Sequence, residues 1–420
     1  MSQFNLVERS VAKALRQFPG IKCHIKTLYQ RLNYLICCKS HCYQTELSIH
    51  ALSKNGEESF FGYYDKSPLN ETGDWVLYHS VPKQISTKQL PNPTVPVGIM
   101  GYHIPTQETV RFSESYAYNW QQGARLQWVN ETDFIFNDYS SESDTYVSHI
   151  YSVKTKQKIK TLPFPIYDVK GTTAITLDFD RLAIMRPDYG YRNRKAVAED
   201  LDRNGLYLGD LNTSKVELIM SLSQLAKLDA HVNMKNTVHK VNHIMLSPSG
   251  TKFMVLHRYF VDGVKWDRLI TMNCDGTNPQ VLVANQMVSH CNWEDDDTIV
   301  GFLRNDSGKD GYYRVDVASK KVTPLSTQLS SCLGDGHPSV LNGKMITDTY
   351  PDKARMKHLL CLDMSTNTLK ELGQFKESFD YGGETRCDLH PRWSPDGTKV
   401  FFDSVHSGQR QLYYLSLKNE

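Results

Sequence analysis

No run in this chain approaches the roughly 18 apolar residues that a membrane span needs; the longest candidate is Leu35-Ile36-Cys37-Cys38 with its neighbours. The first residues are polar and lack a compact apolar stretch followed by small residues, so they do not read as a secretion signal. Gly-rich phosphate loops, nucleophile elbows and His-Glu-x-x-His helices are missing. Charge of one sign is scarce too: the net charge is +2 and the pI about 8.0, so no basic field argues for nucleic acid. These absences exclude a polytopic membrane protein, a P-loop enzyme, a serine hydrolase of the elbow type and a zincin. What remains is a globular chain of 420 residues, 40% apolar and 22% charged, long enough for one large repeat fold or two ordinary domains. Its 23 tyrosines suit a β-rich fold or a sugar-facing surface.

The charge is unevenly spread. Residues 1–45 hold Arg9, Lys13, Arg16, Lys22, Lys26, Arg31 and Lys39 against Glu8 alone, a net +6 that leaves −4 for the other 375 residues. This basic arm reads as two amphipathic helices. Leu6, Val7, Val11, Leu15 and Phe18 recur at helical spacing, Pro19-Gly20 interrupts, and Ile21, Ile25, Leu28, Tyr29, Leu32, Leu35 and Ile36 resume. Such an arm either caps the body or rests on an anionic membrane face, since Lys and Arg flank its apolar stripe. Nine cysteines, an odd number without a secretion signal, read as reduced thiols in a cytoplasmic protein, possible at the inner face of the membrane. Cys37, Cys38, His41 and Cys42 are close in sequence, but their spacing is irregular and no second half follows, so helix-end cysteines are the default.

From about residue 46 the pattern changes to strands and repeats. A polar or His start, a short strand, a turn of Asp, Asn, Gly or Ser character and an apolar strand recur seven times. The copies start at Ser67, Leu126, Ile175, Ile244, Cys291, Pro338 and Pro391. The third runs from Ile175-Thr176-Leu177-Asp178 through an expected strand at Leu182-Ala183-Ile184; the last contains Ser394-Pro395-Asp396-Gly397, in which Asp396-Gly397 reads as a type I′ hairpin turn. Several copies are followed by a second hairpin, as at Leu269-Ile270-Thr271-Met272 with Asp275-Gly276. Two hairpins per unit are the pattern of a four-stranded propeller blade, and a lone blade cannot bury its faces. The expected fold is therefore all-β, a seven-bladed β-propeller over residues 46–420 preceded by an amphipathic helical arm over 1–45. The chain ends one strand short at Gln411-Leu412-Tyr413-Tyr414-Leu415, and Glu46-Leu47-Ser48-Ile49-His50 is the segment expected to supply the missing edge.

The inner strand of each blade lines the channel, and here the residues entering those strands are unusually polar. They include Tyr63, Tyr64, Asp65 and Lys66; Arg125; His239 and His243; His290; Asp335 and His337; and Arg386, Asp388 and His390. His and Asp from neighbouring blades suit a divalent ion such as Mn²⁺, Zn²⁺ or Fe²⁺, and arginines suit a carboxylate through paired hydrogen bonds. Each histidine has an ordinary alternative, a buried ring bonded to backbone. Arg258, at a strand end, fits either the channel or the surface.

Asn242-His243-Ile244 through Leu256-His257-Arg258, Ser289-His290-Cys291-Asn292-Trp293, and Arg386-Cys387-Asp388-Leu389-His390-Pro391-Arg392-Trp393-Ser394-Pro395-Asp396-Gly397 together resemble the oligogalacturonate lyase family. The resemblance lies mainly in residues 240–417; the Ser-Pro-Asp-Gly turn is shared more widely among TolB-type propellers. It implies a seven-bladed propeller with a manganese ion at the channel mouth that cleaves uronate oligosaccharides by β-elimination. It also implies His290, Asp388 and His390 as metal ligands, Asp388 standing where the family has a second His and no Gln being found upstream. On that reading His243 or Arg258 is the base, Arg386 pairs with the substrate carboxylate, and Tyr64, Arg125 and His337 contact substrate. The segment Phe60-Phe61-Gly62-Tyr63-Tyr64-Asp65-Lys66-Ser67-Pro68 also resembles propellers associated with bacterial surface-polysaccharide clusters. The expected partner is an acidic oligo- or polysaccharide. The competing expectation is a non-catalytic glycan-binding or assembly propeller.

Overall fold

In the computed structural model, residues 19–53, 56–195, 200–231, 234, 237–329 and 334–417 are described. The fold is a seven-bladed β-propeller. Blade 1 comprises Ser59–Phe60, Trp75–Ser80, Val97–His103 and Glu108–Ser115. Blade 2 runs from Gln127–Trp128 to Gln157–Leu162, blade 3 from Asp168–Lys170 to Val216–Ser221, and blade 4 from His239–Leu246 to Gln280–Val283. Blade 5 runs from Val288–Trp293 to Val322–Pro324 and blade 6 from Ser339–Leu341 to Thr368–Lys376. Neighbours within each sheet are antiparallel.

Blade 7 is completed from the other end of the chain. Its strands Arg392–Trp393, Lys399–Ser404 and Gln411–Ser416 are joined by Ile49–Ala51, with Ile49 opposite Leu415 and Ala51 opposite Tyr413. The clasp thus lies at the end of the segment expected to form it. Just before it, Tyr43–Gln44 adds a fifth strand to blade 6, so the chain enters the sheets two residues ahead of the boundary drawn at 45.

Burial explains why these strands hold. Second strands lie between neighbouring blades and are apolar on both faces, as in Trp75–Ser80, where every residue but Ser80 is buried. The fourth strand of blade 2 faces solvent: Gln157–Leu162 buries only Leu162. A recurring tryptophan ties blade to blade. Trp128 donates its indole N–H to Pro68 O (2.9 Å), Trp293 to Met245 O (2.9 Å) and Trp393 to Ser339 O (3.1 Å), each in the blade before its own.

Two local expectations are corrected. Leu182-Ala183-Ile184 is not a strand but part of a helix, Phe179–Met185. The Asp178 carboxylate caps it by accepting from the N–H groups of Asp180 and Arg181 (2.9 and 3.1 Å), and the partner of Thr173–Leu177 is delayed to Gly205–Asp210. Asp396-Gly397 is not a type I′ pair, which needs left-handed backbone at both residues: Gly397 has positive φ (+69°) and Asp396 does not.

Of the arm, residues 1–18 lie outside the described residues. The second expected helix is Pro19–Cys37, and Pro19 opens it rather than interrupting it, as its fixed φ and missing N–H allow in a first turn. Tyr34 meets Phe379 edge-on (5.5 Å between ring centroids) and Arg31 lies over the same ring. Ile25, Leu28, Leu32, Leu35 and Ile36 are exposed. No helix among the described residues is long and apolar enough to cross a membrane. Cys37, Cys38 and Cys42 are exposed free thiols.

Candidate metal centre

The channel is plugged by Phe61-Gly62-Tyr63-Tyr64-Asp65, which follows the first strand of blade 1. Gly62 has φ +124°, and a Cβ there would come within 2.8 Å of the Gln122 backbone, so only glycine fits. The N–H groups of Phe61 and Gly62 both donate to the Asp403 carboxylate of blade 7 (3.0 Å each), and Asp403 pairs with Arg392 (2.8 Å). The plug is thereby pinned to the closing blade.

Three channel residues share a left-handed backbone: Arg125 (φ 53°), His243 (φ 58°) and His390 (φ 45°). Their side chains meet different fates. Arg125 makes a two-point pair with Asp65 (2.7 and 3.3 Å), donates to Tyr167 O and lies over the Tyr167 ring; neither partner of the ion pair is accessible. His243 has both ring nitrogens engaged. Nδ1 meets the Tyr63 hydroxyl (3.2 Å); Nε2 meets the Tyr64 hydroxyl (2.9 Å) and accepts from the Cys291 N–H (3.2 Å). Burial pulls its pKa down to about 3. Tyr64 also donates to Cys291 O (2.9 Å) and is buried. The groups expected to meet substrate through Arg125 and Tyr64, and to take a proton through His243, are thus committed inside the protein.

His390 differs. Its Nδ1 is 3.0 Å from Gly62 O, an arrangement that puts the proton on Nδ1 and the lone pair on Nε2. His337 is held in the same way, Nδ1 lying 2.8 Å from the Asp348 carboxylate. Asp348 also accepts from the N–H groups of His337 (2.8 Å) and His390 (3.1 Å), so one buried acid sets both segments. The Nε2 atoms of His337 and His390 are buried without a hydrogen-bond partner. His337, His390 and Asp388 offer one ligand atom each, all within 4.8 Å of one another. Two buried imidazole nitrogens without a partner beside an ionised carboxylate are costly by themselves and fit a divalent cation, with the carboxylate and carbonyl behind each ring orienting it.

The electrostatics favour that fit at Asp388 and His390 and oppose it at His337. Burial works against charge on Asp388, but Lys357 (3.3 Å) and Arg386 (2.7 Å) hold its pKa well below the usual carboxylate range. Burial and the neighbouring His337 push His390 well down. For His337 burial opposes charge, but Asp348, with Asp388 and Asp335, outweighs it and the pKa lies above the ordinary value, so a proton competes with an ion for this ring.

His290, expected as a ligand, stands beside this set. Its ring is 4.1 Å from that of His337, and its Nδ1 is held by Asp335 (3.2 Å), itself bonded by the Ser289 hydroxyl. His337, expected on substrate, occupies the donor position instead. A signal for this was available: Asp335-Gly336-His337-Pro338 and Asp388-Leu389-His390-Pro391 are the same Asp-x-His-Pro phrase in successive blades. Arg386 bridges Asp388 and Asp188 (2.8 Å), and Arg258 pairs with Asp267 (2.9 Å), so both are neutralised within the protein. Asp188 comes from the segment after the helix Phe179–Met185, which no repeat pattern marks. Tyr350 was also unmarked; it is 41% exposed with its ring 6.2 Å from His337.

No family model and no curated protein matches this sequence. Solved structures do match. One described as oligogalacturonate lyase in complex with manganese is 14% identical, covers 90% of this chain and 94% of its own, and has a TM-score of 0.62. Oligogalacturonate lyase from Vibrio parahaemolyticus is 12% identical over 90% of this chain and 97% of its own, with a TM-score of 0.61. The β-propeller domain of the trilobed protease from Pyrococcus furiosus is 10% identical over 86% and 99%, with a TM-score of 0.51. The chain shares its overall β-propeller fold with these structures.

Proposed function

We propose that this protein is a metal-dependent polysaccharide lyase-like enzyme that cleaves a uronate-containing oligo- or polysaccharide by β-elimination. The observation that carries the reading is the pair of buried, unpartnered Nε2 atoms of His337 and His390 facing Asp388. The shared fold with a lyase described in complex with manganese makes Mn²⁺ the first ion to try.

His337, His390 and Asp388 would hold the ion. A divalent cation bound there supplies a Lewis acid for the substrate carboxylate and for charge developing next to it. His290 is proposed as the proton acceptor rather than as a ligand: Asp335 anchors its Nδ1 and fixes the lone pair on Nε2, the arrangement a base at the carbon next to a carboxylate needs. His243 is left out of that role because both ring nitrogens have partners, and Arg258 because it is ion-paired with Asp267. Arg386 positions Asp388 instead of meeting substrate, and Tyr350 offers an exposed ring for a sugar face.

The test is metal content by elemental mass spectrometry together with absorbance of the unsaturated product on a panel of uronate glycans. Stoichiometric metal with rising absorbance in the wild type, and neither in His390→Ala with an unchanged fold, is the expected result. One observation favours a second reading, a non-catalytic glycan-binding or assembly propeller: Arg125 and Arg386, expected to meet substrate, and Arg258, expected as a base, are each paired with an internal acid. Glycan binding without product at full metal occupancy would select it.

The arm is proposed to rest on an anionic membrane. Leu35 and Ile36 are 72% and 84% exposed on a helix whose other side meets Phe379, and residues 19–45 contain four Lys or Arg and no acid. Sedimentation with phosphatidylglycerol vesicles, lost in Leu35→Glu and absent with phosphatidylcholine alone, is expected; equal sedimentation of wild type and variant would end the idea.

A further inference from the structure

With Arg125, Arg258 and Arg386 each satisfied by an internal carboxylate, another cation has to receive an anionic substrate. Lys240, on the inner strand of blade 4, is 3% exposed, and its Nζ donates to Met185 O (3.0 Å). Among the described residues no carboxylate lies within 4 Å of it. Two of its three N–H donors therefore have no protein acceptor assigned, which is unusual for a buried ammonium.

Its surroundings are cationic. Arg258 is its cross-strand neighbour, Lys265 stands on the next strand, and Arg186 reaches in from the segment after Phe179–Met185. The acids here are Asp267, shared by Arg258 and Lys265, and Asp188, shared by Arg186 and Arg386. Lys240, Arg186, Arg258 and Lys265 thus face two carboxylates, one of them also drawn on by Arg386. The floor of this patch, Lys240 and Arg258, is buried; its rim is open, the side chains of Arg186 and Lys265 being 30% and 41% exposed. The same Asp188 joins the patch to the metal centre through Arg386 and Asp388.

We propose that Lys240, flanked by Arg186, Arg258 and Lys265, forms an oxyanion-binding subsite between blades 3 and 4 that takes the carboxylate of a uronate residue next to the one at the metal. The identity of the anion rests on the lyase reading; the subsite itself does not. Burial first, then Arg258, Arg186 and Lys265, with Asp188 opposing, pull the lysine pKa down to about 7. An incoming carboxylate stabilises the protonated form, so binding above that pH carries a proton with it.

The experiment is isothermal titration calorimetry of digalacturonate into the full-length protein from pH 6 to pH 8.5, in two buffers of different ionisation enthalpy, with inorganic phosphate and galactobiose as comparison ligands. In the wild type, affinity is expected to fall by nearly ten-fold per pH unit above about 7, with close to one proton taken up at pH 8. Lys240→Met is expected to lose at least about ten-fold at pH 6 and to lose the proton uptake. Lys240→Arg, charged at every pH, should keep the affinity at pH 6 and lose the pH dependence. Metal content and melting temperature, read in parallel, should be unchanged in both variants. Wild-type affinity that is independent of pH, or a Lys240→Met variant that binds as the wild type does, would overturn the proposal. Phosphate binding equal to digalacturonate, with the same dependence on Lys240, would overturn its assignment to a uronate. If no metal binds and no product forms while affinity still tracks Lys240, the lyase reading falls and the subsite stands.

Discussion

Two histidines on left-handed backbone face the same channel and are used in opposite ways. His243 has Tyr63, Tyr64 and Cys291 around both ring nitrogens; His390 has Gly62 O on one nitrogen and nothing on the other. Residue type, burial and backbone conformation are alike. What separates them is whether the polar atoms are satisfied, and this divides the channel into a closed set that holds the plug and an open set, the Nε2 atoms of His337 and His390 beside the Asp388 carboxylate. A buried donor or acceptor left unmatched costs about 1–3 kcal/mol, so an open set persists where a ligand supplies the missing bond.

That contrast can be broken or sharpened by experiment. The largest effect is expected from the open set: His337→Ala or His390→Ala should abolish stoichiometric metal binding, measured by elemental analysis after dialysis, while melting within a few degrees of the wild type. Asp348→Asn keeps the shape and removes the carboxylate behind His337; it should lower metal affinity by roughly 10–100-fold in a competition titration. The closed set should show the converse. His243→Ala removes the ring that Tyr63, Tyr64 and the Cys291 amide share, and is expected to destabilise by about 2–4 kcal/mol in urea unfolding with metal content unchanged. Loss of metal in His243→Ala at full folding would erase the distinction.

Acid titration offers a smaller, graded test. Burial depresses His79 to about 4 and His243 to about 3. Between those values and the ordinary 6.5 the unfolded chain binds protons that the folded chain does not. Their contribution is therefore complete above about 6.5 and is lost as the pH falls through 4 toward 3. Thermal melts from pH 7 to pH 4.5 should decline, and His243→Ala should decline less steeply. Smallest of all, Tyr350→Ala should weaken glycan binding by roughly two- to ten-fold with no change in stability, since its ring is exposed.

Seven repeats, the two-hairpin unit and the clasp could all be read from the order of residues, because alternation and turn chemistry act over a few positions. The helix Phe179–Met185 could not, because Leu182-Ala183-Ile184 is apolar enough for either state and the Asp178 cap decided it. The site divides along the same line. His390 and Asp388 stand out in sequence as an Asp-x-His-Pro phrase before a Trp, and the matching phrase around His337 was equally available.

The sequence by itself determined a ring of seven blades and a channel lined with His, Asp and Arg, since periodicity and composition are local properties. Only the tertiary structure decided which of those groups are free. Arg125 meets Asp65 sixty residues away, Arg386 meets Asp188 across 198, and His390 meets Gly62 across 328. Whether a buried polar atom is already satisfied depends on partners that closing the ring brings together, and no local pattern encodes them.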